Sequence, residues 1–160
     1  MPEIFRSLYV IIASFVAHTL AQVLKLIILS RKTGKWKWEW HYFFASGGFP
    51  SSHASAVMAL VIGVALVEGI NSTSFAIAVV FASIIMYDAM NVRYYAGKNI
   101  QITRQLIDDL QSKEVELSDS PLYLTKMKDV LGHKAMEVLT GAILGGIVAF
   151  VLYQVLVLIN

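Results

Sequence analysis

Apolar residues run along this chain in four long blocks, and polar residues gather in the stretches between them. The first block, Leu8 to Leu29, spans 22 residues, enough to cross ~30 Å of hydrocarbon as a helix. It is too long for a signal-peptide core, and no small-residue cleavage site follows, so it is expected to be retained. His18, Gln22 and Lys25 interrupt it at i, i+4 and i+7, which puts them on one helical face. A polar stripe of this kind faces protein or a water-filled cavity rather than lipid. For His18 the expectation is a hydrogen bond to a neighbouring helix. Lys25 could snorkel to the interface, but the reading taken here is that it serves a site.

Next, Arg31, Lys32, Lys35 and Lys37 interleave with Trp36, Trp38 and Trp40, a mixture that marks a membrane–water interface and anchors the chain there. The second apolar block runs from Ser52 to Ile70, and Asn71-Ser72-Thr73 forms a turn after which Ser74 can cap a third helix. That helix is expected from about Phe75 to Ala96, apolar until Tyr87 and then carrying Asp88, Asn91 and Arg93. Lys98 to Leu131 is polar, with Ile102, Leu106, Ile107 and Leu110 spaced for an amphipathic helix. Ser118 to Pro121 breaks it, and Pro121 can start a short surface helix reaching Leu131. The last block, Lys134 to Ile159, contains Gly141, Gly145 and Gly146, a spacing that brings helices close together.

Composition agrees with this pattern. Hydrophobic residues make up 57% of the 160 and charged ones 15%, whereas soluble domains carry roughly 25% charged residues. The expected fold is all-α: one integral membrane domain over residues 1–160, with about four transmembrane helices and short amphipathic surface helices. The absence of cysteine excludes disulfides and thiolate metal ligands. With a net charge of only +2, the placement of charge matters more than its sum. Partners expected are the bilayer and, through glycine-based packing, a second copy; no nucleic acid partner is expected.

Four spanning helices bring the end of the first, the start of the second, the end of the third and the start of the fourth to one side. Lys25, His53, Asp88, Arg93 and His133 then fall near one face. Of 13 lysines and arginines, Arg6 alone lies on the other side and Lys25 lies within a span. The remaining cations flank the shared face, which is therefore expected to be cytoplasmic, in the inner cell membrane. The polar segment 98–131 lies over that face, where it could act as a lid.

Two local patterns there suggest chemistry. In Gly47-Gly48-Phe49-Pro50-Ser51-Ser52-His53-Ala54, Ser51 or Ser52 can cap a helix whose free N–H groups and dipole favour an anion. At the start of the last block, His133 and Glu137 are four apart and share a helical face. A carboxylate on one imidazole nitrogen fixes the tautomer and makes the other nitrogen nucleophilic. Alone, such a pair is an ordinary helix-terminal histidine with its i, i+4 partner; with His53 on the same face it reads as a site.

Pro50-Ser51-Ser52-His53 resembles the central motif of the type 2 phosphatidic acid phosphatase superfamily, and His133 with Glu137 resembles its third motif, a histidine followed four residues later by a carboxylate. Lys25 is similar to the lysine of its first motif. The nearer likeness is to the small divergent branch labelled acid phosphatase/vanadium-haloperoxidase-related. Residues 47–53, Tyr87-Asp88-Ala89, Val92-Arg93, Ala96-Gly97-Lys98, Gly132-His133, Glu137-Val138 and Gly141 carry it. Departures stand at Lys32-Thr33, where the superfamily has Arg-Pro, and at Met127, where it has an arginine. The resemblance implies that Arg93, with Lys98 or Lys126, substitutes for these.

It further implies hydrolysis of a membrane lipid phosphate without metal or other cofactor. His133 would be the nucleophile, Glu137 its orienting partner and His53 the acid and base. Lys25, Ser51, Ser52, Arg93 and Lys98 would hold the phosphate, and Asp88 would orient His53 or pair with a cation. Substrates made in the inner leaflet, such as phosphatidylglycerophosphate, phosphatidic acid or prenyl (di)phosphates, suit the site. The alternative is a non-catalytic membrane protein that binds phospholipid head groups or a partner protein. A small transporter or channel subunit finds no support in any discontinuous-helix repeat, and a vanadium haloperoxidase fits the short, membrane-embedded chain least.

Overall fold

The computed structural model describes residues 3–33, 47–113 and 132–159. Five helices occupy them: α1 (Glu3–Thr33), α2 (Ser52–Glu68), α3 (Thr73–Met90), α4 (Val92–Ser112) and α5 (Ala135–Ile159). The protein is a helical membrane bundle. The Trp-rich loop beyond position 33, the short helix expected from Pro121, Lys126 and most of the lid segment lie outside the described residues.

Helix ends follow local chemistry. Ser51, with extended backbone, accepts a hydrogen bond from the Ala54 N–H and caps α2. At the other end Gly69 adopts φ 86° and returns its N–H to the Ala65 carbonyl. Ser72, not Ser74, caps α3, accepting from the Phe75 N–H at 3.1 Å. The third apolar helix also stops at Asn91 instead of continuing to Ala96. There both the backbone N–H and the side-chain amide of Asn91 turn back to the Tyr87 carbonyl, a local competition that breaks helices. Arg93 therefore belongs to α4, and Asp88 to α3.

α2 is the centre of the bundle, packed most extensively on α5, then on α1 and α3; among the described helices α4 packs only on α3. The buried face of α1 centres on Ala13, Ala17 and Ala21, all with no exposed surface, flanked by Tyr9, Val10 and Leu26. Large residues such as Phe15, Ile77, Ile84 and Phe150 point outward. Small inside and large outside is the arrangement lipid selects, because apolar side chains gain nothing by leaving it and helices associate through close packing. Two hydrogen bonds pin α1 into the bundle: Tyr9 Oη donates to the Ala149 carbonyl at 2.6 Å and Ser55 Oγ to the Ala17 carbonyl at 3.1 Å.

Among the described residues three apolar stretches are long enough to cross a membrane: Ser7–Arg31, the run beginning at Thr73, and Ala135–Ile159. α2, of the fourth apolar block, has 17 residues and reaches about 25 Å at 1.5 Å per residue. Its neighbours α1 and α5 are longer, with 31 and 25 residues.

The tightest approach is between α2 and α5. A Cβ added at Gly141 would run into the Ser51 carbonyl, and one at Gly145 into the Ser55 carbonyl. Gly146 faces only Ile62, at ordinary contact distance. Gly145→Val is therefore expected to lower stability by about 1–3 kcal/mol, read as a reduced melting temperature in detergent. Gly146→Ala should leave that temperature unchanged or slightly raised.

Candidate active site

Three helix ends are stitched together by backbone hydrogen bonds. The Ser51 N–H donates to the Glu137 carbonyl at 2.9 Å, tying the cap of α2 to the first turn of α5. The His133 N–H donates to the Ala89 carbonyl at 3.0 Å, tying the approach to α5 onto the end of α3. Gly132 makes that approach possible: its φ is 81°, and any Cβ there would strike the backbone of Arg93 and Tyr94.

These ties bring His53, Asp88, Arg93 and His133 around one cleft of about 30 Å³, with Gly132 in its wall. The space suffices for a water or two. His133 is buried, 3% exposed, and its Nδ1 lies 3.0 Å from Glu137 Oε2. The same carboxylate oxygen accepts from the Lys134 N–H, so Glu137 is held in place from the helix start. Burial pushes the His133 imidazole below its ordinary pKa. The hydrogen bond to Glu137 opposes that shift, as does the nearby Gly48 carbonyl, while the Lys25 charge adds to it. The balance keeps the ring neutral around pH 7, with Nδ1 held by the carboxylate.

Lys25 is buried at 7% exposure, and its stem lies against Gly48, where a Cβ would sit 3.4 Å from Lys25 Cδ. Its charge acts on Glu137, His133 and His53. Ser51 is fully buried and spends its hydroxyl on the α2 cap; Ser52 is fully buried too, and its Oγ has no partner among the described residues. Asp88 is engaged by Arg93 in an ion pair that bridges the Asn91 break. Lys98 is exposed on α4 and does not line the cleft.

His18 had been expected only to bond a neighbouring helix. Its ring stands edge-on to His53, with centroids 6.0 Å apart and planes at 80°. The stripe shared with Gln22 and Lys25 was the signal in the sequence. Gln22 is buried as well, and its Oε1 has no partner among the described residues.

A helical membrane bundle carrying paired histidines from two helix starts defines a class, and comparison with known proteins places the chain within it. The chain belongs to the Divergent PAP2 family, which it matches over residues 7–148. It is 37% identical over 150 residues to the uncharacterized membrane protein YuiD of Bacillus subtilis (strain 168), covering 89% of this chain and 92% of that one. No solved structure is significantly similar to it.

Glu137→Gln replaces an anionic acceptor by a neutral amide, so the charged form of His133 loses its stabilising partner. The pH at which His133 takes up a proton should fall, as read from the imidazole resonances of ¹⁵N-histidine-labelled protein in micelles. An unchanged or higher titration midpoint would contradict the assigned hydrogen bond.

Proposed function

We propose that this protein is a lipid-phosphate phosphatase that works through a phosphohistidine. Its substrate is a phosphomonoester or diphosphate of a membrane lipid, of the kind of phosphatidylglycerophosphate, phosphatidic acid or a prenyl (di)phosphate. The observation that carries this reading is a buried imidazole with its Nδ1 held by a carboxylate, sharing a cleft with a second imidazole and a guanidinium. Membership of the Divergent PAP2 family supports it. The concentration of cations on this side of the chain supports a cytoplasmic orientation.

In the first step, His133 Nε2 attacks phosphorus and the P–O bond to the lipid breaks. With a phosphomonoester the bonding pair leaves on the lipid oxygen, and His53 supplies the proton that makes it an alcohol; with a diphosphate it leaves on the bridging oxygen, as a lipid monophosphate. In the second, His53 takes a proton from water, the water oxygen attacks phosphorus, and the P–N bond breaks to return His133 and free phosphate. Glu137 holds the tautomer and balances the charge on the phosphorylated ring. Lys25, Arg93 and the α2 amino terminus with Ser51 and Ser52 stabilise the equatorial oxygens. A substrate whose tail stays among the helices can present its head to such a rim.

One observation favours the second reading, a head-group-binding protein without catalysis: Arg93 is already committed to Asp88, so a phosphate must compete with a carboxylate for it.

The test is phosphate release from these lipids by the purified protein in detergent with EDTA. His53→Ala should slow release by about 10²–10⁴-fold, and His133→Ala should bring it to background with no acid-labile phosphoprotein. No release from any of the lipids, or equal release by His133→Ala, sinks the phosphatase. Lipid binding that persists unchanged in His133→Gln would then identify the head-group binder.

A further inference from the structure

α4 follows a helix that has already used its length to cross the membrane. α3 has 18 residues and reaches about 27 Å at 1.5 Å per residue, close to the ~30 Å of a hydrocarbon core. The join between the two helices carries three tyrosines within nine residues. Tyr87 and Tyr95 are exposed, and Tyr94 stands edge-on to Tyr95 with ring centroids 5.5 Å apart. Tyrosines gather at head-group level, where the ring stays in the acyl boundary and the hydroxyl in water. Arg93 meets Asp88 at the same join, so charge and aromatic rings mark one depth. α4 therefore starts at the membrane surface.

From there α4 is two-faced. Val92, Tyr95, Ile102 and Leu106 share one side by helical spacing, and each has more than half of its surface exposed. Thr103 lies on the same side and satisfies its hydroxyl on the Asn99 carbonyl at 2.8 Å; Asn99 is the polar exception there. The opposite side carries Gln101, Arg104, Gln105 and Asp108, and Gln105 donates to Asp109 at 2.8 Å beside them. Among the described helices only α3 packs on α4, so Ile102 and Leu106 stay open. A helix with an apolar stripe, a polar opposite face and a start at the membrane surface finds its apolar cover in the lipid interface. Lys98 and Arg104 sit on the two flanks of the stripe, where long stems carry cations from the acyl boundary out to the head groups.

We propose that α4 lies along the leaflet surface at the site's end of the bundle, with Val92, Tyr95, Ile102 and Leu106 in the acyl boundary and Lys98 and Arg104 reaching the head groups. The partner of this face is the lipid surface, not a second copy of the chain. Arg93, in the first turn of α4, is thereby held at the depth of lipid phosphates. The inference does not depend on the phosphatase reading and stands whether or not the cleft hydrolyses its ligand.

The chain contains no cysteine, so a single-cysteine variant carries one nitroxide label at a known place. Ile102→Cys and Leu106→Cys report the apolar side, and Gln101→Cys and Gln105→Cys the polar side. Each is labelled and placed in vesicles of phosphatidylcholine and phosphatidylglycerol, at a lipid excess that keeps copies apart. Collisions of the label with oxygen report lipid, and collisions with a water-soluble nickel chelate report water. The oxygen-to-nickel ratio should be several-fold higher at 102 and 106 than at 101 and 105. Thr103→Cys, with the same expected ratio, serves if either apolar-side variant does not fold. Equal ratios on the two sides would place α4 in water and overturn the proposal. Low collision rates with both reagents at 102 and 106 would overturn it too, since protein would then cover the stripe. In that event, spin coupling between labels on separate copies would identify a second chain as the cover, and no coupling would identify a segment of the same chain outside the described residues.

Discussion

The architecture depends on how closely α5 can approach α2. Gly141 and Gly145 let the α5 backbone rest on the carbonyls of Ser51 and Ser55, and the Ser51 N–H then reaches the Glu137 carbonyl. In a bilayer, no hydrophobic force drives helices together, so contact of this kind is what orders the bundle. The same contact sets the amino terminus of α2 beside the first turn of α5. His53 and His133 are therefore neighbours because two glycines lack side chains.

The electrostatics follow from where that contact lies. Lys25 and His133 are almost fully buried, and charge in such surroundings is costly unless paired or hydrogen-bonded. Glu137 answers this for both, through its hydrogen bond to His133 and its field at Lys25. Asp88 answers it for Arg93 at the more open side of the cleft. Two buried polar atoms, Ser52 Oγ on α2 and Gln22 Oε1 on α1, remain without partners among the described residues. Buried polar groups are rarely left so, and at functional sites the missing partner is often a ligand or water.

The division of labour among the helices is equally physical. α1, α2, α3 and α5 form the membrane-embedded body, whose small residues face inward and whose bulky ones face lipid. α4 leaves that body at Asn91 and carries Arg93 back to the cleft through its first turn, while the rest of the helix makes no described contact with α1, α2 or α5. Placing the guanidinium just after a helix break lets it meet Asp88 five residues earlier, a pairing that an unbroken helix would not present on one face.

The four apolar blocks, a cap at Ser51 or Ser52, the close-packing glycines and the His133–Glu137 pair were all legible in the chain; the structure chose Ser51 for the cap. Each depends on residues a few positions apart, and helical periodicity converts such spacings directly into shared faces and contacts. The cap of α3 at Ser72 and the break at Asn91 were misjudged by two and five residues, since weak local competition for backbone groups decides helix ends. What only the tertiary structure decided concerns residues far apart: which face of α1 meets α2, that the start of α2 is tied to the first turn of α5, and that His18 stands against His53. Those outcomes rest on interlocking shapes, a carbonyl over a glycine and a hydroxyl on a distant backbone oxygen, which no spacing along a single helix can express.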